Sequence, residues 1–160
     1  MAASLDREID LPDPIRVIGR EEVHLDADAL RGFSVDRRSV EVVCATGSRY
    51  TSSWEGIGVT DLLDVASAPA ETTHLLVASR DGYRIAIPLL DGFDGLLAIW
   101  KDGEPIGSSL PYHTRFVAPD IEGARDVKGV RTIRFLALDP EDDPESHEQI
   151  EPDDDRFEVE

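Results

Sequence analysis

A chain of 160 residues can fold into one domain that removes roughly two thirds of its unfolded surface from water, which leaves little room for a second full domain. Its 16 Lys and Arg against 34 Asp and Glu give a formal net charge of −18, which excludes a surface built for nucleic-acid phosphates or an anionic membrane. Apolar residues make up 41% and charged residues 31%, and no apolar run nears the ~18 residues of a membrane span, so the composition predicts a soluble globular domain.

The opening MAASLDREIDLPDP lacks a basic stretch followed by an apolar one, so no secretory signal is read there and the expected compartment is the cytoplasm. Ile15, Val17 and Ile18, closed by Gly19, predict a first strand. Asp26 caps a short helix over DADALRGF, with Leu30 and Phe33 turned inward. RSVEVVCAT follows as a buried strand rich in β-branched residues, ending near Cys44, and GSRYTSS supplies turn chemistry after it. Thr60 precedes DLLDVAS, in which Leu62, Leu63 and Ala66 share a helical face. THLLVAS, YRIAIPL and GLLAIW are strand-like, separated by Asp81-Gly82 and Asp91-Gly92, and Lys101-Asp102-Gly103 reads as a hairpin turn. TRFVAP and VRTIRFLALD supply the last strands. Strands outnumber helices too far for regular βαβ alternation, so the fold class is a mixed, β-rich α+β domain with short helices.

Residues 1–138 form the expected domain and residues 139–160 an acidic tail. The tail holds 12 acids and one Arg, a net of −11, leaving −7 on the rest. Such a segment buries too little apolar area to offset its ordering entropy and is read as disordered or loosely packed; it has no Gly and so no EF-hand loop. The bases are unusual too: Lys101 and Lys128 are the only lysines, against 14 arginines. Acidity with scarce Lys suits a halophilic protein working at high intracellular salt, although a merely acidic mesophilic protein shares the pattern.

Several motifs, in order, resemble the molybdopterin-binding domain of the sulfite oxidase family. Cys44 and ATGSR precede Trp54-Glu55-Gly56 and VTDLLDVA, similar to the family's cysteine, small residues and W-x-G-V-x-L-x-D-L-L. DGYRIAIPL resembles D-G-Y-x-x-x-I-P-L, LLAIWKDGEPI resembles L-L-A-Y-x-x-N-G-x-P-L, and RFVAPDIEGARDVKGVRTI resembles R-V-V-V-P-G-x-x-G-A-R-x-V-K-W-x-x-x-I. The resemblance spans roughly residues 14–138 and implies that fold.

It also implies a chemistry. Cys44, the only cysteine, matches the residue whose thiolate binds molybdenum, a role suited to a soft sulfur ligand; on its own, a lone buried cysteine reads as a small hydrophobe or a redox-sensing thiol. Arg49 matches an arginine near the substrate oxyanion, though a solvated loop arginine fits it equally well. Residues 115–134 carry a net charge of +2 in this acidic chain, and there Arg115, Gly123, Arg125 and Lys128 are the candidate contacts for the phosphate of a molybdenum–molybdopterin cofactor. Arg131 and Arg134 read as surface residues, and Trp54 and Tyr83 as packing residues.

The chain also departs from the family. Ile99 stands where the family has a tyrosine, Leu110 and His113 replace the histidine and proline of H-G-x-P-x-R, Gly129 replaces the tryptophan after V-K, and residues 1–40 hold no R-x-H-x-P. Two readings follow: a molybdenum-cofactor oxidoreductase performing two-electron oxygen-atom transfer on a small oxyanion or S-oxide, with an unknown electron-transfer partner, or a non-catalytic binding module with a degenerate pterin or anion pocket. The charge makes a separate prediction. Denaturation midpoints should rise as KCl is raised to molar concentrations, because screening relieves self-repulsion; flat or falling midpoints would oppose salt adaptation.

Overall fold

Ten strands and three short helices are formed among the residues described by the computed structural model, which are 8–43, 48–119 and 127–148. The first sheet contains β1 (Ile15–Ile18), β2 (Glu22–Leu25), β5 (His74–Ser79), β6 (Arg84–Pro88) and β10 (Val130–Leu136), in the order β2-β1-β10-β5-β6. The second contains β3 (Asp36–Val43), β4 (Arg49–Gly58), β7 (Leu96–Lys101) and β8 (Glu104–Pro105), with β9 (Arg115–Val117) also paired to β7. Helices α1 (Ala27–Leu30), α2 (Val59–Val65) and α3 (Leu89–Gly92) connect strands. The expected β-rich α+β class holds, and no helix among the described residues is long and apolar enough to cross a membrane.

The sheets adhere because each strand alternates. Ile15 and Val17 of β1, Leu75 and Val77 of β5, Ile85 and Ile87 of β6, and Ile133 and Phe135 of β10 all enter one buried cluster. Ile57, Leu97, Ile99 and Phe116 meet them from the second sheet, and Val59 and Leu62 of α2 pack into the same core. The Asp26 carboxylate caps α1 by accepting from Ala29 N at 2.8 Å, as its sequence predicts. The Lys101-Asp102-Gly103 turn also forms, with φ +51° at Asp102 and +90° at Gly103, the left-handed pair a tight hairpin requires.

One segment departs from its sequence reading. GSRYTSS suggested a turn, yet β4 begins at Arg49 and runs the full length of β3, from Val43↔Arg49 to Asp36↔Gly56. A complete antiparallel partner satisfies the backbone of these Ser and Thr residues, and Trp54 buries fully, so tertiary pairing overrides local turn preference. Helix α2 likewise begins one residue before Thr60, with Gly58 at its cap. Strand β2, whose Glu22-Val23-His24-Leu25 alternates over only four residues, and the two-residue β8 are additional to the strands predicted from sequence.

Residues 139–148 of the acidic segment turn back onto the first sheet. A 3-10 turn at Pro144–His147 packs on β6, and the Glu148 carboxylate accepts from Ala86 N at 2.8 Å.

β4 and β7 run close together at Gly56, where a register shift separates Glu55 from Gly56. A Cβ there would strike the Leu97 carbonyl oxygen and Ala98 Cα, both backbone atoms that cannot rotate away. Gly56→Ala is therefore expected to destabilise the fold by at least about 2 kcal/mol in urea denaturation. A loss within a few tenths of a kcal/mol would show that the two strands are not locked together at this point.

Candidate functional site

The second sheet has another face, turned away from the main core, and β4 defines it. Tyr50, Ser52 and Trp54 alternate onto this side, where Trp54 packs with Val40, Leu96, Ala98, Ile106 and Val117, and with half-buried Tyr50, Leu110 and Tyr112. This apolar bed carries cations. The Arg115 guanidinium lies 5.5 Å from the centroid of the Trp54 ring, and Lys101 Nζ lies 5.2 Å from Tyr50 and 5.8 Å from Trp54. Lys128 Nζ lies 5.9 Å from the centroid of Tyr112.

Arg115 and Lys128 are placed by the backbone. Phe116 N donates to Val127 O at 2.9 Å and Gly129 N to Thr114 O at 2.8 Å, so Arg115 and Lys128 sit directly across an antiparallel bridge. Cross-strand partners of this kind have Cβ atoms about 5 Å apart on one face, and like charges so placed repel. The facing rings offset part of that cost through their π faces, and a bound anion would attract both groups. Arg115 is only 4% exposed, whereas Lys128 reaches solvent, so one cation is fixed in depth and the other lies at the rim.

Two further groups mark this face. The buried Trp54 Nε1 has no hydrogen-bond partner among the described residues, and an indole N–H left so typically costs about 1–3 kcal/mol. Burial pushes the Tyr112 phenol above its ordinary value, against the pull of Arg115 and Lys128, and Arg115 hydrogen-bonds to it.

Of the candidates named from sequence, the structure brings together Arg115 and Lys128. Arg49 stands at the start of β4, where alternation puts it on the side opposite Tyr50 and Trp54; it is exposed and 3.3 Å from the Glu41 carboxylate. Cys44, Gly123 and Arg125 lie outside the described residues. Among the described residues no group of three His, Cys, Asp or Glu could hold a metal ion. Tyr83 and Trp54 both pack as expected, Tyr83 against the main core and Trp54 fully buried in the second cluster, where with Tyr50, Tyr112 and Lys101 it underlies the charged face. For Tyr50 and Trp54 the sequence signal is the alternation Tyr50-x-Ser52-x-Trp54, hidden by the turn-like composition around it.

The departures from the family also find their places. Ile99 is 2% exposed in the main core, while Ala98, its neighbour, faces Arg115 across the strands. Gly129 adopts φ +67°, a left-handed conformation that side chains rarely tolerate. His113 Nε2 lies 3.7 Å from the Asp10 carboxylate. Behind Tyr112 a small cleft opens between His113, Thr114, Gly129 and Arg131, with Arg80 and Asp13 at its rim.

The fold is that of a molybdopterin-binding class of protein. The family profile "Oxidoreductase molybdopterin binding domain" matches residues 14–143, and the chain belongs to that family. Similar solved structures include the sulfane dehydrogenase SoxCD from Paracoccus pantotrophus, with a TM-score of 0.72 and 19% sequence identity. The alignment covers 85% of this chain and 41% of that one, so the chain spans less than half the length of that relative. No curated protein matches the sequence.

The residues of this face fit the family's cofactor. A pterin is a flat polar heterocycle and its tail carries phosphate, and the face combines aromatic rings, an unsatisfied indole donor, a buried guanidinium and an ammonium group. A titration tests its electrostatics. Tyrosinate absorbance should show one of the three tyrosines ionising above the ordinary value of 10.0, and Tyr112→Phe should remove that step. Lys128→Gln should move it still higher, because the cation favours phenolate. An unchanged or earlier step in Lys128→Gln would show that the ammonium does not act on the phenol.

Proposed function

We propose that this chain binds a molybdenum–molybdopterin cofactor and supports two-electron oxygen-atom transfer on a small oxyanion or S-oxide. The observation that carries the reading is the buried Arg115 set directly across from Lys128, against Trp54 and Tyr112, in a chain of net charge −18. A cation pair concentrated on one apolar face of so acidic a protein is suited to an anion.

In this reading Cys44 supplies the metal-binding thiolate, and Arg125, Lys128 and the backbone at Gly123 hold the cofactor's phosphate. Arg115 binds from below, where its burial fixes the guanidinium before the ligand arrives and lowers the ordering cost. Trp54 Nε1 donates to a polar atom of the ligand. The bound group supplies the electron sink and the oxygen-transferring metal. Arg49 lies on the opposite side of β4 from Trp54 and pairs with Glu41, so the cations offered to an anion on this face are Arg115 and Lys128. Ile99 brings no hydroxyl, so any proton donor to the substrate must come from elsewhere than this position. Because the transfer moves two electrons, a separate electron-transfer partner completes the cycle. The salt-rich, cytoplasmic setting read from the sequence belongs to the same proposal.

Two variants of the cofactor-loaded protein test it. Cys44→Ser should abolish oxygen-atom transfer with little change in fold, since hydroxyl is nearly isosteric with thiol but a much harder donor. Arg125→Glu with Lys128→Glu should lower bound pterin at least about tenfold along with activity, because phosphate would then meet carboxylates. Protein from a molybdate-replete host that holds no molybdenum and takes up no added cofactor would overturn the proposal in favour of a non-catalytic binding module.

A further inference from the structure

The first sheet also has an outer face, and its charge runs against that of the chain. Strand register sets three rows across it. One row reads His24, Arg16, Thr132, Ala78, Arg84; the next reads Glu22, Ile18, Arg134, Leu76, Ala86; the third holds Leu136, His74 and Pro88. These residues alternate with the side chains that enter the main core, so their side chains share the outer side. Glu22 is the only carboxylate in the three rows. It is bound by Arg16 and by His24, each at 2.9 Å, and the pairing holds its carboxyl at about 2, well below the usual range. The side chains of Arg84 and Arg134 make no hydrogen bond or ion pair among the described residues, and half-buried Leu76, Ala78 and Leu136 share the face with them.

The acidic segment arrives at the edge of this face. The turn at Pro144–His147 packs on β6, Glu148 is bonded to Ala86 N, and burial, with nearby His147 second, opposes protonation of His74. Beyond Glu148 come 12 residues, QIEPDDDRFEVE, with six carboxylates and one Arg, a net of −5. Extended, they reach about 40 Å. The five-stranded sheet is about 20 Å wide, so the segment is long enough to cross it.

We propose that the outer face of the first sheet is a docking surface for a carboxylate-rich polypeptide, and that its occupant is the chain's own segment 149–160. Arg84 and Arg134 take the carboxylates, and Ile150 and Phe157 supply apolar groups for the ground between them. The exit point, the reach and the opposite charges favour this occupant over an outside partner. The role is independent of the cofactor reading, because it uses the other sheet.

The full chain tests it. A nitroxide on Val159→Cys, in a Cys44→Ser background that leaves one attachment point, should broaden the amide resonances of Leu76, Arg84 and Arg134 several-fold relative to the reduced label. Raising KCl should restore them, since the contacts are screened. Arg84→Glu with Arg134→Glu should also restore them, and Arg84→Lys with Arg134→Lys should retain most of the broadening. Three results would each overturn the proposal: no broadening on this face, broadening centred on Arg115 and Lys128, or broadening that survives charge reversal. A fourth would as well, namely broadening seen only when labelled chain is mixed with a separate isotope-enriched copy, which would make a second molecule the occupant.

Discussion

The short antiparallel pairing of residues 114–116 with 127–129 joins the two sheets. β9 belongs to the sheet of β7, and the strand that pairs with it continues through Gly129 into β10, the central strand of the other sheet. The same two hydrogen bonds that make this corner also fix Arg115 opposite Lys128. The left-handed Gly129 is where the chain changes direction, since its N–H is bound to Thr114 and its carbonyl to Arg80 N. Fold and charge placement are therefore set by one piece of backbone. A bulky residue at Gly129 would disturb both, which gives a local reason why this chain lacks the family's tryptophan there.

Long-range electrostatics would seem to forbid an anion site in so acidic a molecule. At physiological ionic strength, however, the Debye length is about 8 Å, so distant carboxylates count for little beside cations in contact with the ligand. Burial sharpens that local advantage. Arg115 is held in a low-dielectric bed of Trp54, Ala98 and Val117, where each interaction with a charge is stronger than at the surface. The tilt of the Tyr112 phenol toward its neutral form has the same origin, with burial outweighing the two adjacent cations.

Much of this was readable in the sequence wherever a single local signal agreed with tertiary demand. The β-branched runs over 74–79, 84–88 and 130–136 became strands, Asp26 became a cap, and Asp102-Gly103 became a turn. Where the two disagreed, tertiary structure won. Arg49 to Ser53 look like a turn because Ser and Thr favour local hydrogen bonds, but a strand as long as β3 offered the same bonds with burial of Trp54 besides. That misreading hid the aromatic half of the candidate site. Arg115 and Lys128 were visible because their motif carries the family resemblance, whereas Tyr112 and Lys101 reach the face only through packing between segments distant in sequence.

The edge at β6 has its own consequence. In this strand the backbone groups of Arg84, Ala86 and Pro88 point away from β5, which makes them the natural docking rail for a strand from another molecule. Proline has no N–H to offer, and the N–H of Ala86 is already taken by the Glu148 carboxylate. Among the described residues only Arg84 of this strand keeps an outward N–H with no partner, and its charge disfavours stacking of identical chains. An ionised carboxylate can only accept hydrogen bonds, so it terminates the ladder where a backbone segment would have extended it. The sheet thus ends in a group that cannot propagate pairing, a safeguard against edge-to-edge aggregation in the very salt concentrations that would strip its surface charges of their mutual repulsion.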